Sequence, residues 1–497
     1  MTSFSASGAS WSTAVGFRAC NATTTGSQFT AVGADCLKST TTGYSNVGVG
    51  YAAGAGLTTG HSNIAVGTSA LSQNVLGVGN TIVGNRAYRL GTTGNNNVGI
   101  GANVLEDNTA SGNTAVGNNA LMENTSGADN VAVGYAALDA NTTASNLTAV
   151  GYSALSSNTS GADNTGCGKN ALGANTTGGY GTAVGKQALA SNTTGNRNTG
   201  IGEGALSTNQ TGASCTAVGS QALANSTASD NTAVGAFALE DNVSGVRNTA
   251  IGLQALANNT TAPDNTAVGR QALLANTTGT YNTAVGKSAL TSNTTASDNT
   301  SVGYNSLLAN TGNSNTAVGS IALRYNTSGG ALTAVGKQAL LNNTSGNNNT
   351  AVGCDSLDAN TTGNDNTAVG RSALGANTGA DKNTAVGYRA LFSSNHHSNT
   401  AVGWQALKSC TTGDGNIAIG KSCMENSTTG RINVMVGADG MTSLTTGYYN
   451  TGIGYECGNQ ITTGNNNVFL GFYAGRNQGN FSNYLYIARN SVGAGND

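Results

Sequence analysis

The sequence predicts an all-β chain, a repetitive β-solenoid or β-roll of about 28 coils with a 17-residue period that occasionally shortens to 16. Three observations predict it. The glycine of an Ala-Val-Gly triplet returns from Gly16 to Gly471, through Gly33, Gly50, Gly67 and onward, at intervals of 17 residues except for four of 16. A unit of that length is too short for two helices and their turns, which need roughly twice as many residues. The composition supports only a thin interior. With 73 glycines, one proline, 8% charged and 5% aromatic residues, there are too few large side chains for a thick core and too few charges for a solvated coil.

Aligned on the glycine, the unit reads N-T-A-V-G-x-x-A-L-x-x-N-T-T-G-x-x, as in the run from Asn265 to Gly279. The reading in order is a short strand through T-A-V, a bend at Gly, a second short strand through A-L, and a turn over N-T-T-G, where Asn and Gly tolerate positive φ. In the four shortened units the strand spacing survives and the missing residue falls between the Leu and the next pre-strand Asn, as in Asn310-Thr311-Gly312-Asn313-Ser314-Asn315. Exposed backbone is where a deletion is tolerated. At ~4.8 Å per stacked strand the coils predict a rod on the order of 130 Å, with Asn rows passing amide hydrogen bonds from coil to coil. Residues 1–471 are read as the repeat array and 472–497 as a C-terminal cap. There Phe472, Tyr473, Phe481, Tyr484 and Tyr486 cluster, and residues 483–488 alternate like a strand.

Each coil on this reading buries at best one Val, one Leu and two Ala. Burying Val or Leu contributes ~1.5–3 kcal/mol, against ~1–2 kcal/mol per residue to order the backbone, so hydrogen bonds between coils must supply much of the difference. The apolar residues come as adjacent pairs, Ala-Val and Ala-Leu, and neighbours in a strand point to opposite faces. One member of each pair therefore faces something outside the coil. The expected partner is the chain itself, as a parallel homotrimer.

The formal net charge of −2 gives no basic field for nucleic acid or an anionic membrane, and no apolar run approaches the ~20 residues that span a bilayer. Met1-Thr2-Ser3-Phe4 leads into the first repeat without a basic-then-apolar signal segment, so no cleaved signal is expected. Cys36, Cys423 and Cys457 stand at the Ala of A-L, Cys20 at its Leu and Cys167 at the Val of A-V-G. They read as small core hydrophobes and free thiols, suited to a reducing compartment. His61, His396 and His397 read as solvated turn residues. Asp-Asn pairs such as Asp129-Asn130, Asp163-Asn164, Asp230-Asn231 and Asp264-Asn265 lack the further carboxylates of a calcium site and read as turn caps. No zinc spacing, phosphate loop or nucleophile elbow occurs, so no enzyme activity and no cofactor is expected. Asn-Thr-Thr and Asn-Thr-Ser turns match the glycosylation acceptor pattern, and stay bare in a chain that meets no secretory pathway.

The position after the repeat glycine departs most from small polar residues. It holds Tyr51, Tyr135, Tyr152, Tyr304, Tyr388, Trp404 and Tyr455, interspersed with Lys169, Lys186, Arg270, Lys287, Lys337, Arg371 and Lys421. In a solenoid these form one stripe, whose rings and cations suit contact with a glycan or protein.

The run N-T-A-V-G-x-x-A-L-x-x-N-T-T-G resembles the head repeats of trimeric autotransporter adhesins, whose coils form a trimeric β-roll that binds host surfaces. It is more similar to arrays in viral and phage fibre proteins, where a closing segment like residues 467–475 and 485–488 often precedes an intramolecular chaperone. This coil is longer than the adhesin's, and no coiled-coil stalk or anchor barrel is in the sequence, so the resemblance implies a virion fibre. The expected function is a structural fibre or spike displaying an attachment face. A purely structural extracellular filament and an ice-binding solenoid, with Thr rows ordering water, are the alternatives.

Overall fold

The structure, a computed structural model, describes residues 11–488. Among them there is no helix, and the strands are all three residues long. The chain forms two compact units, Met1–Asn248 and Thr249–Asp497. The first carries β1 (Thr13–Val15) to β14 (Thr232–Val234), the second β15 (Thr249–Ile251) to β29 (Leu485–Ile487). Within each unit, successive strands pair in parallel with no slip, Thr on Thr, Ala on Ala and Val on Val in the regular coils. The fold is the expected all-β solenoid of about 28 turns with a 17-residue period. The four 16-residue coils keep strand register, as in Thr216↔Thr232, Thr300↔Thr316, Thr384↔Thr400 and Val98↔Thr114. In two of them the shorter turn brings its two asparagines into direct contact: Asn113 Nδ2 donates to Asn108 Oδ1 at 3.1 Å and Asn315 Nδ2 to Asn310 Oδ1 at 3.0 Å.

Two readings of the coil are corrected. The A-L segment is not a second strand. Its Leu stands in the left-handed region, as at Leu273 (φ 54) and Leu340 (φ 52), and so does the residue two before it, Gln271 (φ 56) or Gln338 (φ 61). Left-handed backbone in a branched residue costs roughly 1–2 kcal/mol, and the coil-to-coil hydrogen bond holds it there: Leu273 N donates to Ala289 O at 2.9 Å. The Val of T-A-V is not buried either. The strand pattern is half-exposed, buried, exposed, so the central Ala enters the coil and Thr and Val point out.

The interior of a regular coil is therefore the strand Ala, the Ala and Leu of A-L, and two asparagines, all fully buried. Both Asn columns run as amide ladders. Before the strand, Asn366 N donates to Asn349 Oδ1 (2.9 Å) and Asn366 Nδ2 to Ala380 O (2.8 Å). At the turn, Asn175 Nδ2 donates to Asn158 Oδ1 (2.7 Å) and Gly178 O (2.9 Å). Buried amides are stable only when paired, and here the pairing is supplied by repetition. Departures from the consensus conserve volume: Tyr88 fills the Leu position where Gly91 replaces the turn Asn, and a Cβ on Gly91 would lie 2.7 Å from the Tyr88 ring.

The segment from Phe472 to Ala488 makes one further coil, with β29 in register on β28 (Val468–Leu470). Tyr486 stacks on Phe469 with centroids 5.7 Å apart. Residues 489–497 of the expected cap lie outside the described residues.

Candidate functional site

Each stripe residue follows a glycine whose φ lies near +135°, as at Gly269 (φ 133) before Arg270. That backbone turns the chain out of the strand, and the next side chain projects from the coil. In the first unit Tyr51, Tyr135, Tyr152, Lys169 and Lys186 are exposed. In the second, Arg270, Lys287, Tyr304, Lys337, Arg371, Trp404, Lys421 and Tyr455 are exposed and Tyr388 is half-buried.

In-register stacking brings successive members together. Tyr135 stacks on Tyr152 with centroids 5.3 Å apart, and Lys169 Nζ lies 5.7 Å from the Tyr152 centroid. The longest run is Arg371, Tyr388, Trp404 and Lys421. The two rings stack at 6.2 Å, Arg371 lies over Tyr388 at 6.0 Å and Lys421 over Trp404 at 5.9 Å. Lys287 lies 5.7 Å from the Tyr304 ring, and Tyr455 stacks on Phe472 at 5.5 Å. Such cation–ring contacts contribute ~0.5–1 kcal/mol when exposed.

The arrangement alters what the stripe can do. Ring faces inside a run are taken by the neighbouring ring or cation, so ring edges and cationic heads are what the stripe presents. Lys186 is neutralised by Glu203 at 2.9 Å. Arg270, Lys287, Lys337, Arg371 and Lys421 show no carboxylate partner among the described ion pairs.

A second outward row escaped the sequence reading. The residue before the pre-strand Asn is left-handed in coil after coil, and the row includes Tyr281 (φ 57), Tyr449 (φ 59) and Tyr180 (φ 60), which precedes the Gly181 that stands in place of the Asn. The signal was present as a fixed offset from Asn, but the residue types there are mixed. Asp129, Asp163 and Asp230 occupy the same row, exposed and left-handed, a conformation Asp tolerates. Part of this row lines an open groove of about 760 Å³ bounded by Asn347, Asn364, Asp365, Asp381 and Lys382. Its amides and carboxylates largely satisfy one another, as where Asn364 N donates to Asp381 Oδ1 at 2.7 Å. His397 Nδ1 accepts from Asp381 N at 2.9 Å. No three His, Cys, Asp or Glu side chains gather as a metal site among the described residues, and no helix there is long and apolar enough to cross a membrane.

All eight cysteines are free thiols. Cys20, Cys36, Cys215, Cys410, Cys423 and Cys457 are buried, whereas Cys167 is exposed, because the Val column it joins faces outward. This corrects its reading as a core residue. Burial pushes the Cys20 and Cys423 thiols up to about 12 and those of Cys36, Cys410 and Cys457 to about 11. A raised folded value makes the thiol's contribution complete below its ordinary 9 and lost as pH rises toward 11–12. The expected outcome is that iodoacetamide at pH 8 modifies Cys354 but spares these six, and that hydrogen-exchange protection of their coils falls above pH 9; mass spectrometry of alkylated peptides reads the first. The Asn-Thr-Thr turns offer no glycan acceptor once folded, since each buried amide is spent, as Asn141 Nδ2 is on Asn124 Oδ1 (2.7 Å) and Ala144 O (3.1 Å).

No protein-family model matches the chain, and no curated protein matches it.

Proposed function

We propose that the chain is a structural fibre protein, a repeat scaffold that holds the row after the repeat glycine as an attachment face on the surface of a virion or cell. The run Arg371–Tyr388–Trp404–Lys421 carries this reading, because it places two rings between two unpaired cations on consecutive rungs. Arg270 and Lys287 follow one another on neighbouring rungs without a carboxylate, and an anion between them relieves the repulsion. Covered ring faces and free cations favour an acidic glycan over a neutral one that stacks on rings.

A panel of acidic and neutral glycans tests it. The expected result is binding to the acidic members that weakens as salt rises, and that falls roughly tenfold or more in the Arg371→Ala, Lys421→Ala variant. Undiminished binding in that variant, or preference for neutral sugars, overturns it. The ice-binding alternative draws no support from the first threonine of each turn, whose hydroxyl is spent on the next coil, as Thr277 Oγ1 is on Thr294 O at 3.0 Å.

A further inference from the structure

We propose that Cys457, Met435 and Met441 form a buried site for one soft monovalent metal ion, copper(I) by chemical class. Three of the five methionines and two of the eight cysteines of the chain fall between Cys423 and Cys457. Met435 is the middle residue of β26 (Val434–Val436), where a regular coil holds Ala. Met441 stands at the Leu of A-L in the same coil, and Cys457 at the Ala of A-L in the next. All three are fully buried. The Cys457 thiol donates to the Met435 thioether across 3.6 Å, and Met441 N donates to Cys457 O at 2.9 Å, which holds the two coils against each other. Gly440 and Gly452 take the place of an Ala beside them and leave the room that the long side chains use.

The point that a Cβ on Gly452 would occupy lies 2.8 Å from Met435 Sδ, 3.0 Å from Cys457 Sγ and 2.6 Å from the terminal methyl of Met441, one bond from its sulfur. That is too close for carbon, and about half an ångström beyond a metal–thiolate bond of ~2.3 Å. Two sulfurs sharing one ion at a tetrahedral angle stand ~3.7 Å apart with that bond length, close to the 3.6 Å between Cys457 and Met435. Exchange of volume between coils does not by itself call for sulfur. At Gly99 the same exchange uses hydrocarbon, since a Cβ there would meet Ile82 Cδ1 at 3.1 Å and Leu105 Cδ1 at 3.2 Å. A thiolate with thioethers is a soft ligand set of the kind that selects copper(I). Charge agrees, because one thiolate and one monovalent ion leave nothing uncompensated in the core, whereas a divalent ion would. Binding exchanges the Cys457 S–H bond for a sulfur–metal bond and releases one proton per ion. Cys423 lies outside the set, its thiol donating to Gly420 O at 3.1 Å.

Silver(I), which has the same charge and softness without the redox chemistry, is the probe. The full chain, with Cys167 and Cys354 first blocked by iodoacetamide, is refolded in its presence, and native mass spectrometry counts the ions retained. The wild type is expected to retain one. Cys457→Ala, which places the residue of the regular repeat there, is expected to retain none with its β circular dichroism intact, while Cys36→Ala at the equivalent place in another coil binds as the wild type does. Met435→Leu keeps the apolar volume without the thioether and is expected to bind roughly tenfold or more weakly. In the wild type alone, silver(I) is expected to slow amide exchange at Met441 and Gly458 and to leave the coils of the first unit unchanged, a readout that needs no variant to fold. A wild type that retains no ion, a Cys457→Ala chain that retains it, a folded Met435→Leu chain that binds as tightly as the wild type, or protection that does not centre on Met441 and Gly458 overturns the proposal.

Discussion

Replacing Gly336 by Ala is expected to abolish the pairing of Thr333–Val335 with Thr350–Val352, at a cost of at least about 3 kcal/mol. Gly336 stands at φ +133°, a region essentially closed to L side chains, and a Cβ there would lie 2.5 Å from Gly353 O and 2.6 Å from its carbon. The obstacle is backbone, which a rotamer change cannot move. The turn glycine Gly346 supplies the control. A Cβ on it would also crowd Gly363 O, at 2.3 Å, but its φ is not in the left-handed region. Other coils carry Ala at that turn position, as at Ala144, Ala262 and Ala380. Gly346→Ala is therefore expected to cost under about 1 kcal/mol, because the backbone can shift without strain. A repeat array does not unfold in one step, so amide hydrogen exchange in the flanking coils is the measurement. Equal loss of protection in both variants would count against the conformational explanation.

Asn343→Leu is expected to cost about 2–4 kcal/mol despite adding apolar volume to the interior. Asn343 Nδ2 donates to Asn326 Oδ1 at 2.8 Å and Gly346 O at 3.0 Å, and its Oδ1 accepts from Asn360 Nδ2 at 2.8 Å, all fully buried. Leucine leaves the Asn326 oxygen and the Gly346 carbonyl without these donors, and a buried polar group stripped of its partner costs ~1–3 kcal/mol. The chain itself tolerates an aliphatic residue at this position, at Leu57, Leu444 and Ile461. Leu444 and Ile461 are on adjacent coils, and the one before them holds the smaller Ser427, so no intact amide run is cut there. The loss of protection should reach the coils of Asn326 and Asn360 and fade beyond them. A loss confined to the mutated coil would mean that the ladder does not couple its members.

The stripe shows how far one sequence reaches. Its members were legible because the offset from the repeat glycine is fixed and the residue types there are large or charged. Their conversion into ladders was not, since it needs the ring of Tyr388 and the indole of Trp404 on neighbouring rungs at stacking distance. The same gap explains Cys167, which the spacing placed in the Val column correctly, while the side on which that column lies was misassigned.

What the sequence by itself determined is the period, the parallel in-register stacking of Thr-Ala-Val and the amide ladders. Each follows from the return of one residue type at one interval, and a repeat forces equivalent residues to meet whatever the coil's detailed path. The tertiary structure alone decided that Val faces out and that Leu enters the core from a left-handed backbone. Local preference opposes that conformation, and the opposition is overcome by a hydrogen bond to the next coil, such as Leu340 N to Ser356 O at 3.0 Å. A conformation held by a neighbour leaves no trace in the propensity of the residue that adopts it.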